Sequence, residues 1–247
     1  MKNLIKYEFR KTLATKLILL GITAAVEIAF LAGLYLNKTG LLTVSVGLLV
    51  ALAFGGVMLM GLGNVLTLHR DINTKQSYML FMTPNSCYKI LGAKTVESGL
   101  SILIAGAFYF ALGMLDITLL FAKEGELQSL WEFFEDFIHS IDSHIQLDAP
   151  GLACFAFGVL TSWFATVNMA YLADVISAAL LNGKRFNGLA SFCLFLALSI
   201  LLGWMQGKIG DPTYINQYFL IHGAVALVFS GLMYAATAQI MERKLSV

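Results

Sequence analysis

The chain is poor in charge, proline and cysteine. Only 13% of its 247 residues are charged, whereas a soluble domain carries roughly a quarter, and its mean hydropathy is +0.78. This composition excludes a disordered chain and indicates a bilayer environment. The three cysteines (Cys87, Cys154 and Cys193) follow no paired or metal-ligand spacing, so we expect neither a structural disulfide nor a metal site.

Motifs for nucleotide binding and catalysis are also missing. The sequence has no GxxxxGK[ST] loop, no HExxH and no GxSxG, and its four histidines are scattered over different segments. We therefore expect no enzymatic activity, no cofactor bound by this chain and no nucleic-acid partner.

Long apolar runs, in contrast, are abundant. A spanning helix needs about 20 mostly apolar residues, because lipid cannot satisfy exposed backbone groups. The sequence predicts one all-α domain, residues 1–247, folded as a polytopic bundle of six transmembrane helices. The predicted spans are Leu17–Leu36, Leu41–Leu68, Ser98–Leu120, Pro150–Val175, Phe186–Met205 and Tyr218–Met241.

The basic residues orient these spans. Of the 16 Lys and Arg residues, 13 lie in the termini and in the loops on the same side, and only Lys38, Lys123 and Lys208 lie in the other loops. Short cytoplasmic loops carry such an excess of bases. We therefore expect both termini in the cytoplasm and a multi-pass protein of a cell membrane, most simply the bacterial cytoplasmic membrane.

Two predicted helices do not span. Residues 1–16 place apolar side chains at helical spacing among bases, which is typical of an interfacial helix on anionic headgroups; a plain basic anchor for the first span is the alternative. Residues 123–148 form an extracellular amphipathic helix with Trp131 on its apolar stripe and an acidic opposite face. That face either attracts cationic substrates or is simply solvated.

Polar residues within spans are costly, so each needs a partner or a role. Glu27 can line a substrate pathway, pair with His222, or stay protonated in a helix interface. We favour a buried hydrogen bond over direct contact with substrate. Asn64 and Asn168 are expected to make interhelical hydrogen bonds. These four residues are the candidate pathway or intramembrane polar groups.

Two further acids lie near span ends. Asp174 is within reach of the bases at 184–185, and Asp116 lies near the outer end, where water or snorkelling lowers its cost.

The most informative stretch is the predicted cytoplasmic segment 69–94. Apolar and aromatic side chains mix there with bases, and Pro84 interrupts the pattern, so that Asn85 or Ser86 can cap the next helix. The residues alone leave two interpretations open: an interfacial helix on lipid headgroups, or a docking element for a cytoplasmic partner.

This segment resembles a known family. The pattern Arg70-Asp71 … Tyr78-Met79-Leu80-Phe81-Met82-Thr83-Pro84 … Lys94 is similar to the first cytoplasmic loop of half-size, six-span permease subunits of type-2 ATP-binding cassette exporters. The resemblance covers the whole topology, but its residue-level support is confined to this segment. The long acidic helix at 123–148 departs from the family, since many relatives have short loops there.

The resemblance implies a permease subunit that forms the translocation pathway with a second permease copy or a related permease. Two copies of a separate ATPase subunit would bind ATP and Mg²⁺. The implied docking residues are Arg70, Asp71, Tyr78, Phe81, Pro84 and Lys89. The alternatives are a self-contained secondary carrier or channel, and a membrane protein of the bacteriocin-immunity type. Lipids, hydrophobic peptides and amphipathic drugs all fit as substrates.

Overall fold

The protein is almost entirely helical in the part that its computed structural model describes: residues 2–73, 86–125, 149–181, 187–209 and 215–245, with six positions between 131 and 139. The elements are α1 (Lys2–Tyr35), α2 (Thr39–Asn73), α3 (Cys87–Glu124), α4 (Ala149–Leu181), α5 (Asn187–Gly207), α6 (Ile215–Ile240) and a π-helical turn (Met241–Leu245).

All six α-helices are long and apolar enough to cross a membrane. The shortest, α5, has 21 residues and is therefore about 32 Å long, close to the thickness of the hydrocarbon core. This confirms the predicted all-α bundle with six candidate spans and a multi-pass membrane protein. The side of the membrane on which the termini lie stays a prediction.

Four helices extend beyond their predicted spans at the same end of the bundle, and one of them is α4, which continues to Leu181. The segment expected to be a separate helix at residues 1–16 is the first part of α1, which has no proline and no glycine before Gly21 to interrupt it. Likewise α2 continues to Asn73, and α3 begins at Cys87. Much of the predicted loop at 69–94 is therefore helix.

Consecutive helices run antiparallel. The start of α1 is joined to the end of α2 by the ion pair between Lys11 and Asp71. The end of α1 is joined to the end of α3, where Lys123 donates to the carbonyl oxygen of Leu34. We call the end of the bundle where α1 begins the N-terminal end, and the other the opposite end.

Helix α4 joins two cores. One core lies near the N-terminal end and packs Leu68 of α2 and Leu91 of α3 against Tyr171 of α4 and Ala238 of α6. The other core packs α4 against α5 and α6 around residues that include Met169, Leu202 and Phe229. The bundle is thus two groups of three helices, α1–α3 and α4–α6, that meet along α4.

One close contact between the two groups depends on a glycine. A Cβ added to Gly61 of α2 would overlap the ring of Trp163 on α4, whereas one added to Gly63 would meet nothing. A larger residue at 61 would push α2 away from α4.

Two predicted features are only partly described. Ser86 occupies the N-cap position of α3, and its carbonyl oxygen accepts from the Lys89 amide at 2.9 Å, but its side chain makes no cap hydrogen bond. Asn85 lies outside the described residues. In the 123–148 segment, the described positions between 131 and 139 are helical and Trp131 is exposed; most of this segment lies outside the described residues.

Candidate functional site

A lysine without solvent exposure lies at the N-terminal end. The Lys94 side chain is 0% exposed, and its ammonium donates to Glu8 at 2.8 Å and to Asp71 at 3.0 Å. Lys11 also pairs with Asp71. Burying a charge is costly unless it is paired, and here one lysine of α3 finds its partners on both α1 and α2.

A second buried charge lies one turn along α3. Glu97 has no solvent exposure. It accepts hydrogen bonds from Lys16 at 2.5 Å, from Thr12 at 2.9 Å and from Ser101 at 2.9 Å. Lys16 additionally donates to Ser101 at 2.6 Å. The carboxylate is thus satisfied by donors from α1 and from its own helix.

These ion pairs form two groups, Lys11–Asp71–Lys94–Glu8 and Lys16–Glu97, which we call together the charge network. It holds three acids and three lysines, so that its formal charges cancel, and it connects α1 to the two helices that flank residues 74–85. Its members are Glu8, Lys11, Lys16, Asp71, Lys94 and Glu97.

The predicted docking residues fall into three groups. Arg70 and Lys89 are exposed. Asp71 differs: it is 3% exposed and paired with two lysines, so its carboxylate belongs to the interior of the bundle and is not available to a partner surface. The remaining three lie outside the described residues: Tyr78, Phe81 and Pro84.

Polar contacts also tie the two helix groups together near this end. His69 of α2 lies 2.5 Å from the carboxylate of Asp174 on α4. The sequence instead suggested partners for Asp174 at 184–185, which lie outside the described residues. Tyr234 of α6 donates to the backbone carbonyl of Tyr88 on α3 at 2.6 Å.

The predicted role of Asn168 is confirmed. Its amide donates to Ser230 on α6 at 2.8 Å, and its carbonyl oxygen accepts a longer bond of 3.5 Å from Thr95 on α3. Asn64 lies in α2, but its side chain is not among those described, so its predicted hydrogen bond stays a prediction.

Away from these contacts the helix groups separate around a cavity of about 970 Å³. Its walls come from α2 and α3 on one side and from α4 and α6 on the other, with Gln206 of α5 at one end. Val57 and Leu103 line it about halfway along their helices, and His222 lines it closer to the opposite end. The cavity therefore extends from mid-bundle toward the opposite end.

His222 belongs to this cavity and not to Glu27. Its ring stacks on Tyr218 with centroids 4.0 Å apart, and its backbone carbonyl accepts a long bond of 3.4 Å from Gln206. Its Nε2 atom has no hydrogen-bond partner among the described residues. The suggested pairing of Glu27 with His222 is therefore not formed.

Glu27 instead interacts with Asp116 across the contact between α1 and α3. Asp116 is only 9% exposed, so the expectation that water or snorkelling lowers its cost is wrong. Within the described part of the chain, Glu27 Oε2 and Asp116 Oδ1 have no hydrogen-bond partner. Two carboxyl groups placed together in a medium of low dielectric constant repel one another when both are charged.

Sequence reasoning missed most of the charge network. A helical signal was available, because Glu8, Thr12 and Lys16 recur every four residues and so share one face of α1. On α3, Lys94, Glu97 and Ser101 share a face in the same way. Opposite charges on two such faces predict a contact between the helices.

Comparisons with known proteins do not assign this chain to a family. No protein-family model, curated protein or solved structure matches this chain.

Proposed function

We propose that this chain is the membrane-spanning permease subunit of an ATP-driven exporter, coupled at its N-terminal end to a separate cytoplasmic ATPase. The observation that carries the proposal is the charge network. It attaches both helices that flank residues 74–85 to α1 through buried ion pairs. A force applied by a partner to that segment would therefore move three helices together.

The resemblance of residues 70–94 to the coupling loop of type-2 exporters supplies the kind of partner. Arg70 and Lys89 are exposed on either side of the segment, where they suit an acidic groove. Two ATPase subunits would bind ATP and Mg²⁺, and a second copy of this chain or a related permease would complete the assembly. In this proposal the N-terminal end faces the cytoplasm of a bacterial cell.

Transport then requires a bundle with two stable arrangements that nucleotide binding biases. In the arrangement seen here, the helix groups are tied together near the N-terminal end by His69–Asp174 and Tyr234–Tyr88. They separate around the cavity toward the opposite end. Closure of the ATPases would shift the α1–α3 group against the α4–α6 group.

The first test is affinity purification of the chain from its native host in mild detergent, followed by mass spectrometry. We expect a P-loop ATPase in stoichiometric amount. Recovery of the chain alone, repeated in lipid nanodiscs, would contradict the proposal.

The second test locates the docking surface. The double variant Arg70→Glu/Lys89→Glu should lose the ATPase and ATP-coupled transport, and its folding is checked by size-exclusion chromatography in detergent. The matched control is Lys38→Glu/Lys208→Glu, which reverses two exposed charges at the opposite end. Equal retention of the ATPase by both double variants would exclude docking at Arg70 and Lys89.

A self-contained carrier is the second candidate, because the cavity lies within one chain and Glu27 and Asp116 form a carboxyl pair inside the bundle. The two candidates separate in proteoliposomes that contain only this chain. Transport driven by a proton gradient without any ATPase would favour the carrier, and its loss in Glu27→Gln would assign the pair to the transport step.

A further inference from the structure

We propose that the cavity between the helix groups binds a single-chain amphiphile with an uncharged, hydrogen-bonding head, taken in sideways from the bilayer. The size of the cavity supports one such molecule. Its volume of about 970 Å³ lies at the top of the range of small-molecule pockets, about 300–1,000 Å³.

The lining determines the charge of the head. No Asp, Glu, Lys or Arg side chain lines the cavity in the part of the chain that the structure describes. A charged head would lose its hydration there without gaining an ion-pair partner, which is strongly unfavourable. An uncharged head avoids this cost.

Polar side chains determine the orientation of the ligand. Gln206, Tyr218 and His222 lie together at the end of the cavity nearest the opposite end of the bundle. The bond from Gln206 to the His222 carbonyl is long, at 3.4 Å, so a ligand hydroxyl or amide can replace it. Midway along the wall, Thr166 already donates to the carbonyl of Ser162 at 2.9 Å. The buried indole Nε1 of Trp163 has no hydrogen-bond partner among the described residues and can donate to a second oxygen of the ligand.

The hydrocarbon chain then occupies the apolar part of the cavity, and exposed side chains show how it enters. Met58, Leu103 and Phe110 line the cavity, and each is more than half exposed. They lie near the middle of α2 and α3, helices that are apolar enough to span the membrane. The lateral opening therefore faces lipid tails, and a ligand already dissolved in the bilayer reaches the cavity without crossing water.

The inference that this amphiphile is the transported substrate rests on the proposed function. The inference that it binds to the isolated chain does not. Binding is therefore measured on the purified chain without an ATPase. Absence of binding would leave the copurification result unchanged, and absence of a copurifying ATPase would leave the binding result unchanged.

The probe is a monoacylglycerol brominated in its acyl chain, because bromine quenches nearby tryptophan fluorescence. Of the three tryptophans, Trp163 lines the cavity, and it is kept as the single reporter in a Trp131→Phe/Trp204→Phe background. In nanodiscs we expect saturable quenching that unlabelled monoacylglycerol reverses. Quenching that rises linearly with the probe and is not reversed would show contact with bulk lipid only and would overturn the proposal.

Two glycines of α3 provide a matched pair of variants. Gly106 lines the cavity and Gly113 does not, and a Cβ at either position meets nothing within 4 Å. Gly106→Leu should abolish the saturable component, and Gly113→Leu should retain it. Saturable binding unchanged in Gly106→Leu would exclude this cavity. If Gly106→Leu does not fold, displacement by the unlabelled lipid in the parent protein still decides whether binding is specific.

A separate experiment tests whether the head of the ligand is uncharged and forms a hydrogen bond with Gln206. Gln206→Leu should weaken monoacylglycerol binding about 3- to 10-fold, the effect of losing one hydrogen bond. Binding of the corresponding methyl ester should change little. A brominated fatty acid that binds as tightly as the monoacylglycerol at neutral pH would overturn the uncharged head.

Discussion

Lys94 and Asp71 form a buried ion pair that connects the start of α3 to the end of α2, 3.0 Å apart and with neither side chain more than 4% exposed. The pair joins the two helices that flank residues 74–85 in the sequence, and the same lysine reaches α1 through Glu8. A contact of this kind is costly to form and more costly to break, because removal of one member leaves the others buried and charged.

Replacing Lys94 should therefore destabilise the protein severely. Lys94→Met keeps most of the side-chain volume but leaves Glu8 and Asp71 without their shared partner. We expect a loss of about 3–5 kcal/mol in the free energy of unfolding, measured by denaturation in detergent. Lys89→Met is the control, because Lys89 is exposed on the same helix and should change stability by less than about 0.5 kcal/mol. Equal effects of the two substitutions would show that the network does not stabilise the bundle.

The pair of Glu97 and Lys16 should show strong coupling in a double-mutant cycle. Glu97→Leu removes the carboxylate partner of Lys16, which keeps its hydrogen bond to Ser101. Lys16→Leu removes a charged donor from Glu97, which is 0% exposed. The double variant Lys16→Leu/Glu97→Leu removes both charges. We expect it to be more stable than the sum of the single effects predicts by about 1–3 kcal/mol. Additive effects would mean that the two side chains do not interact.

The charge network also explains where sequence reasoning succeeded and failed. The six spans were predictable, because hydropathy alone identifies runs that are long enough to cross a membrane. The ends of α1, α2 and α3 were not, because Lys11, Lys16, Asp71 and Lys94 are interpreted as loop or interface residues. Their charges are cancelled by partners on other helices, which a linear hydropathy pattern cannot register.

The cavity shows a related limit of prediction from sequence. Asn168 was predictable as an interhelical residue, since an amide within a span needs a partner and finds Ser230. The position of His222 was not, because its surroundings depend on how α5 and α6 pack. That packing brings Gln206 of α5 to it, and no periodicity in the sequence specifies which helices become neighbours. The contact with Tyr218 differs, because Tyr218 precedes His222 by four residues on the same helix and therefore shares its face.

A glycine pair on α2 tests the packing between the helix groups. Gly61→Leu places its side chain against the ring of Trp163, and we expect a loss of about 1–3 kcal/mol in stability from overpacking. Gly63→Leu is the matched control, since a Cβ there meets nothing within 4 Å. Trp163→Ala should relieve part of the cost of Gly61→Leu. If Gly63→Leu destabilised as much as Gly61→Leu, the contact between α2 and α4 would have to differ from the one described.

An amide substitution in the carboxyl pair of Glu27 and Asp116 should raise the stability of the protein, whereas the substitution of Gly61 should lower it. Asp116→Asn removes one of the two charges that can repel and supplies an amide donor to Glu27, whose Oε2 atom has no hydrogen-bond partner among the described residues. We expect Asp116→Asn to raise the free energy of unfolding by about 1 kcal/mol, measured in the same detergent at neutral pH. Asp116→Ala removes the charge without supplying a donor and should not be stabilising. A loss of stability in Asp116→Asn as large as in Asp116→Ala would show that repulsion between the two carboxylates does not destabilise the protein.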